Sequence, residues 1–320
     1  MKVNKLALSV MTAAALGAGV AGQARADAMA QSLLQVSNFT LFSSPGTPFT
    51  VADFSQLNFS DQLTNTSNLN GLPGPIGFAA TPTFAPVVDA LQSCIGTCTS
   101  PENNFVPAPT PPVNTYSRSD SLLTGAPIVV PSIPLGANAS TIGESSMMGG
   151  AFGGSTSAIQ LTSAFQFVLA HAANNVQIGF NANDYLRAWT SAGSLPGTLA
   201  SADEHWVLTL KDASGATLVE WDPDGGVGTG THTGLTELAD SCALNRTVSA
   251  GPNSPNAPSS CAGAFLATVN FTLDANTLYS FAIGHSIQTQ AVSVPEPGTI
   301  ALLGVGLLGI WAGRRRLMAA

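Results

Sequence analysis

Positive charge is what this sequence has least of. Only 10 of its 320 residues are Lys or Arg, against 18 Asp and Glu, and charged residues together make up 9% of the chain. No basic stripe is available to neutralise a phosphate backbone, which excludes nucleic acid as a partner. Aromatic residues are few, at 7%. Between the two ends no long run follows the 3.6-residue period, which excludes a helical bundle. Catalytic signatures are missing too. His171, His205, His232 and His285 stand in no H-E-x-x-H and at no tight ligand spacing. Gly143-Glu144-Ser145-Ser146-Met147 lacks the final glycine of a nucleophile elbow. His285 and Ser286 are neighbours in a strand-like run, where adjacent side chains point to opposite faces. With no phosphate loop and no dinucleotide fingerprint either, the chain is expected not to be an enzyme.

The strong signals lie at the ends. Lys2 and Lys5 precede a small apolar run over residues 6–20, and Ala24-Arg25-Ala26 offers an A-x-A cleavage site before Asp27. Residues 1–26 therefore read as a secretory signal helix, removed on export by the secretion machinery. At the other end Pro295-Glu296-Pro297 comes first, then an uncharged run over about 299–313, then Arg314, Arg315 and Arg316. An apolar segment followed by arginines sits in a bilayer with the arginines on the cytoplasmic side. The run is short for a membrane about 30 Å thick, which suits a temporary transmembrane anchor.

This order of motif, apolar helix and basic end resembles the PEP-CTERM sorting tail of Gram-negative bacteria. The resemblance covers residues 294–320 only. It implies an exosortase as processing partner, cleavage near Pro-Glu-Pro, transient anchoring in the inner membrane, and release to the cell surface or the extracellular polymer.

Losing both ends sharpens the charge imbalance. Lys2, Lys5, Arg25, Arg314, Arg315 and Arg316 would go, leaving Arg118, Arg187, Lys211 and Arg246; loss of Glu296 leaves seventeen acids, a net charge near 4 − 17 = −13. Such a body is repelled by anionic lipid and suits life outside the cell.

The passenger between the signals is rich in Ser, Thr, Asn and Gly, with short apolar stretches that alternate with polar residues. This pattern predicts a mainly β fold, a single jelly-roll-like β-sandwich. Residues 27–157 are the less regular, loop-rich part, with a helical turn and then a strand over 35–42 at the start, a short helix over 84–94 and a proline-rich loop over 101–112. Residues 158–293 carry the clearer sandwich strands. The runs 205–210 and 217–221 flank an Asp/Ser/Gly turn and predict a hairpin. The runs 265–273 and 278–287 predict a second hairpin around 274–277.

Four cysteines in an exported chain are expected to oxidise. Local pairing, Cys94 with Cys98 and Cys242 with Cys261, is favoured because the second pair closes a proline-rich loop; a four-cysteine zinc site has the wrong spacing. Asp222-Pro223-Asp224-Gly225 reads either as a calcium-type carboxylate pair or as a plain Asx turn. No other cofactor is implied. Trp189, Trp206 and Trp221 read as core packing, or as a sugar platform if they share an exposed face. Two functional classes follow. One is a structural or interaction protein of the cell surface or a biofilm-type polysaccharide matrix. The other is a secreted carbohydrate-binding module or glycoside hydrolase, for which Asp203-Glu204 and Asp222/Asp224 are the acidic groupings to test.

Overall fold

The computed structural model describes residues 26–82, 85–148, 151, 153–228, 231–255 and 258–294. The expected signal helix, apart from Ala26, and the expected tail from Pro295 onward with its transmembrane helix lie outside these residues. In chain order the strands are β1 (Ala28–Ser44), β2 (Thr47–Pro48), β3 (Phe54–Leu69), β4 (Leu72–Pro73), β5 (Gly77–Thr81), β6 (Val87–Gly96), β7 (Tyr116–Thr124), β8 (Ala137–Met147), β9 (Gly153–Leu169), β10 (Gln177–Thr190), β11 (Leu199–Asp212), β12 (Thr217–Asp222), β13 (Thr231–Thr233), β14 (Leu235–Asp240), β15 (Arg246–Ala250), β16 (Ser259–Val269) and β17 (Leu278–Ser293). Among the described residues a single 3-10 turn, Val51–Asp53, interrupts them. No helix among the described residues is long and apolar enough to cross a membrane.

The strands form two antiparallel sheets. Sheet I runs β14-β16-β10-β1-β8-β7-β6, with β2 on β1; sheet II runs β13-β12-β11-β17-β9-β3-β4, with β15 on β11 and β5 on β3. Residues 27–157 and 158–293 share both sheets: β1 lies between β10 and β8, and β9 lies between β17 and β3.

Three local expectations are corrected. The start of 27–42 is strand, not helical turn. β1 is covered on both faces, so Ala28, Met29, Ala30, Gln31, Ser32, Leu33 and Leu34 are all buried and the period-2 alternation is lost. Residues 84–94 are β6 from Val87 onward, not helix. A register shift between Ala90 and Ser93 broke the strand pattern there, and Leu91 faces solvent rather than joining Val88. The second expected hairpin is a crossover. β16 pairs with β10 and β14 in sheet I, whereas β17 pairs with β11 and β9 in sheet II. The connection folds over the end of the core, where Leu273 bridges Ala173 and the backbone N–H of Asn276 bonds Leu169 O at 3.1 Å. The hairpin of β11 and β12 forms, its turn held by Asp212, which accepts hydrogen bonds from Ser214 N and Ala216 N at 2.8 and 3.0 Å.

The space between the sheets tapers from one pole to the other. At the wide pole large rings interdigitate: Phe180 stacks on Phe265 at 4.8 Å and meets Trp206 at a tilt at 4.9 Å, Phe165 meets Phe281 at 4.8 Å, and Trp206 meets Trp221 edge-on at 6.0 Å. Burying each such side chain stabilises the fold by about 1.5–3 kcal/mol. At the narrow pole Ala, Ser and Gly replace them, and hydroxyls bond straight across the gap. Ser155 Oγ donates to Tyr116 O at 2.7 Å, Ser119 Oγ to Thr66 O at 2.9 Å, and Thr289 Oγ1 lies 2.8 Å from Ser145 Oγ; within sheet II Thr289 Oγ1 also lies 2.7 Å from Ser157 Oγ, its neighbour on β9. A serine cannot span the ~10 Å usual between packed sheets, so the backbones approach closely here. Gly143 makes this possible: a Cβ there would sit 2.9 Å from Ile287 Cγ2 and from Ser157 Oγ. Both ends of the body emerge at this pole, where Ser293 Oγ donates to Ala26 O.

Candidate functional site

Sheet I turns its outer face to two different coverings. Across its middle the register aligns Arg187, Gln31, Glu144 and Arg118 on β10, β1, β8 and β7. A sheet face that carried these side chains into solvent would be ordinary, but the proline-rich segment 97–115 crosses it as a strap. Proline has no backbone N–H to donate, so the strap makes no ladder and is held by side chains instead. Glu144 Oε1 accepts from Ala108 N at 2.7 Å and from Gln31 Nε2 at 3.0 Å; Gln31 Nε2 also reaches Ala108 O at 2.8 Å. Glu144 Oε2 accepts from Tyr116 Oη at 3.1 Å and forms an ion pair with Arg118 Nε at 3.1 Å. Arg118 Nη1 donates to Asn104 O at 3.2 Å, and Asp120 accepts from Asn103 N at 2.8 Å. Arg118, Asp120 and Glu144 have no solvent exposure. Burial pushes the Asp120 carboxyl up to about 6, and burial with Glu144 alongside raises the Tyr116 phenol. The disulfide Cys94–Cys98 pins the start of the strap to the end of β6.

Beyond the strap the same face is open. Gln35, Ser37, Asn138, Ser140, Asn181 and Asn183 floor a trough of about 520 Å³, walled by residues 262–264 of β16. No ionisable group lines it. Asn183 Nδ2 donates to Gln35 Oε1 at 3.2 Å. Asn138 is tied to backbone on both sides, accepting from Asn38 N of β1 and donating to Gly136 O, each at 3.1 Å. The side chains of Ser37, Ser140 and Asn181 bond to no other described residue.

Polar groups between the sheets are enclosed. Ser163 Oγ donates to Asp61 Oδ1 at 2.6 Å, and His285 lies 3.3 Å from Thr141 Oγ1. Burial pushes the His285 imidazole down to about 3, so it stays neutral. The cavity that Asp61, Ser163 and His285 share with Leu123 and Phe281 measures about 40 Å³, room for water only. Further along, Arg246 of β15 forms an ion pair with Asp184 of β10, and Glu204 of β11 is buried beside them with Ser32 near. Burial first, then the Asp184 charge, hold the Glu204 carboxyl well above the usual range.

The residues singled out from the sequence fall as follows. Asp203 and Glu204 point to opposite faces of β11, Glu204 into the core and Asp203 toward Thr247. Asp222 accepts from Asn245 Nδ2, while Asp240 holds the backbone N–H groups of Asp224 and Gly225, each at 3.0 Å. No group of three or more His, Cys, Asp or Glu among the described residues is placed to hold a metal ion. Trp206 and Trp221 are core, with Trp221 Nε1 donating to Glu237 Oε1 at 2.8 Å, and Trp189 lies on the outer face of β10 opposite Met29; the three share no exposed face. Cysteines pair as Cys94–Cys98 and Cys242–Cys261. Ser145, in the elbow-like run of the sequence, bonds Thr289. Ala24, Pro295, Glu296, Pro297, Arg314, Arg315 and Arg316 lie outside the described residues. Sequence reasoning missed the amide trough, although Asn181 and Asn183 alternate with Ala182 in the plain period of a strand, and it missed Glu144 as an anchor.

Residues 293–316 match the family model of the PEP-CTERM protein-sorting motif. The tail is therefore a sorting motif of that kind, which marks an exported protein with a membrane-anchored tail processed by an exosortase. No curated protein and no solved structure matches the chain.

Proposed function

We propose that the chain is a non-catalytic interaction protein of the cell surface or extracellular matrix, delivered there by exosortase cleavage and built on a jelly-roll-like β-sandwich. The sorting motif at residues 293–316 carries this reading. The fold supports it in one respect. β17 ends at Ser293, so the motif starts where the last ladder stops, and cleavage near Pro295 leaves the body whole. An acidic, hydroxyl-rich passenger with a closed core suits a polymer-filled exterior.

The two halves of the tail have separable roles. Replacing Pro295, Glu296 and Pro297 with Ala leaves insertion intact and blocks release, so full-length protein accumulates in the membrane fraction. Replacing Arg314, Arg315 and Arg316 with Ala removes the charges that hold the topology, each costing about 2.5–3.5 kcal/mol to carry into hydrocarbon, so uncut protein escapes. Immunoblots of membrane and released fractions read both. Release of the Pro-Glu-Pro variant at wild-type size and rate would overturn the surface-sorting role.

A further inference from the structure

The geometry points to the open trough on sheet I as a binding site for a neutral polysaccharide chain. This deepens the surface-interaction reading and rests on it only for where the ligand is met.

The chemistry of the floor selects the ligand class. Each amide side chain carries a planar donor and acceptor, and each hydroxyl is both. A pair of neighbouring sugar hydroxyls presents the same combination, so one amide can bond both. Asn181 and Asn183 stand two residues apart on β10, on one face at strand spacing. Ser37 and Gln35 repeat that spacing on β1, directly in register with them. The result is a two-by-two grid of hydrogen-bonding groups, extended by Ser140 on β8 opposite Gln35. A grid suits a ligand with regularly repeated hydroxyls better than one with a single polar head.

Three further observations narrow the choice. First, the floor is rigid: β1 is paired along most of its length on both sides, and the Asn183–Gln35 bond fixes two of the amides before any ligand arrives. Preorganised donors lose little freedom on binding. Second, Asn181, Ser37 and Ser140 keep their bonding capacity unspent within the protein. Third, the trough holds no positive charge, in a passenger whose net charge is strongly negative. An anionic polymer is repelled there and finds no ion pair, and a cationic peptide finds no carboxylate in the floor. An uncharged polymer meets neither obstacle. Small Ala262, Gly263 and Ala264 keep the side wall low, so a chain can lie along the trough rather than insert an end.

The test uses the purified protein in native gels cast with soluble β-glucan, mannan or starch, and with alginate as an acidic control. At least one neutral polymer should retard the protein, and alginate should not. The double variant Asn181→Ala/Asn183→Ala should bind at least tenfold more weakly, while Gln288→Ala, exposed on sheet II, should bind as wild type. Equal thermal melts establish that the double variant is folded; Ser140→Trp, which fills the trough from β8, serves as the second variant if it is not. Retardation by none of the neutral polymers, retardation by alginate alone, or undiminished binding by both trough variants would overturn the proposal. Because the assay needs no cell, its failure leaves the sorting role standing, and failure of the sorting experiment leaves the trough standing.

Discussion

Glu204 is a carboxyl that folding has placed where a charge is costly. It is 1% exposed, between the sheets, next to Asp184 and only partly offset by Arg246. Because its folded pKa is raised, the folded state binds the proton more tightly than the unfolded chain. No stability is lost below the unfolded value of about 4.3, and the penalty grows as pH rises from there toward the folded pKa. Glu204→Gln removes the titration while keeping the shape. Its Tm should exceed wild type by a few degrees at about pH 7.5 and match it near pH 4, since about 1 kcal/mol shifts Tm by roughly 2–4 °C at this size. Equal melting curves at both pH values would contradict the assignment. Gly143 states a different residue-scale constraint. Its missing Cβ is what lets Ser157 and Ile287 approach, so Gly143→Val should cost about 1–3 kcal/mol in urea unfolding, as overpacking does. Neither residue announces itself in the sequence. A glutamate in the buried phase of β11, in line with Ala202 and Trp206, and a glycine near serines on β8, have no local signature of what lies across the gap.

The strap is the element whose shape depends most on side chains from elsewhere. Its prolines deny it a ladder, and Glu144 bonds it at Ala108 while pairing with Arg118. Glu144→Gln would leave the Arg118 guanidinium buried without its counter-charge. Loss of one partner of such a pair costs about 3–5 kcal/mol, and amide exchange within residues 97–115 should accelerate far more than exchange in β17. A uniform rise across both segments would show that the strap is not held separately. At this scale the sequence was legible where one face of a strand is wet. β9, β11 and β12 alternate cleanly and were readable. The start of β1 was not, because the strap and the core bury both of its faces there, whereas its second part, 35–42, reads as strand. The join between β16 and β17 was misread because a short turn-like segment looks the same whether it reverses within one sheet or passes to the other; only the pairing partners, far away in sequence, decide.

For the whole molecule, composition and alternation were enough to give two antiparallel sheets, and the tail was enough to give export. The trough needed three strands brought together from residues 35–37, 138–140 and 181–183, a coincidence of register that no local window contains. The tapered core follows the same logic: its hydroxyl-rich pole looks like loop composition in the sequence, yet those serines are buried because two sheets share them.

The exit of both termini from the narrow pole has a mechanical consequence. While the tail holds the protein to a membrane, tension enters through Ser293, the last residue of β17. Every residue of that strand is paired with β9, and from Tyr279 to Val292 it is also paired with β11. A pull along the strand axis therefore loads two ladders at once and in shear, so no single hydrogen bond can open first as it would in an edge strand drawn sideways. The body should yield to stretching only at forces that rupture the sheet as a unit.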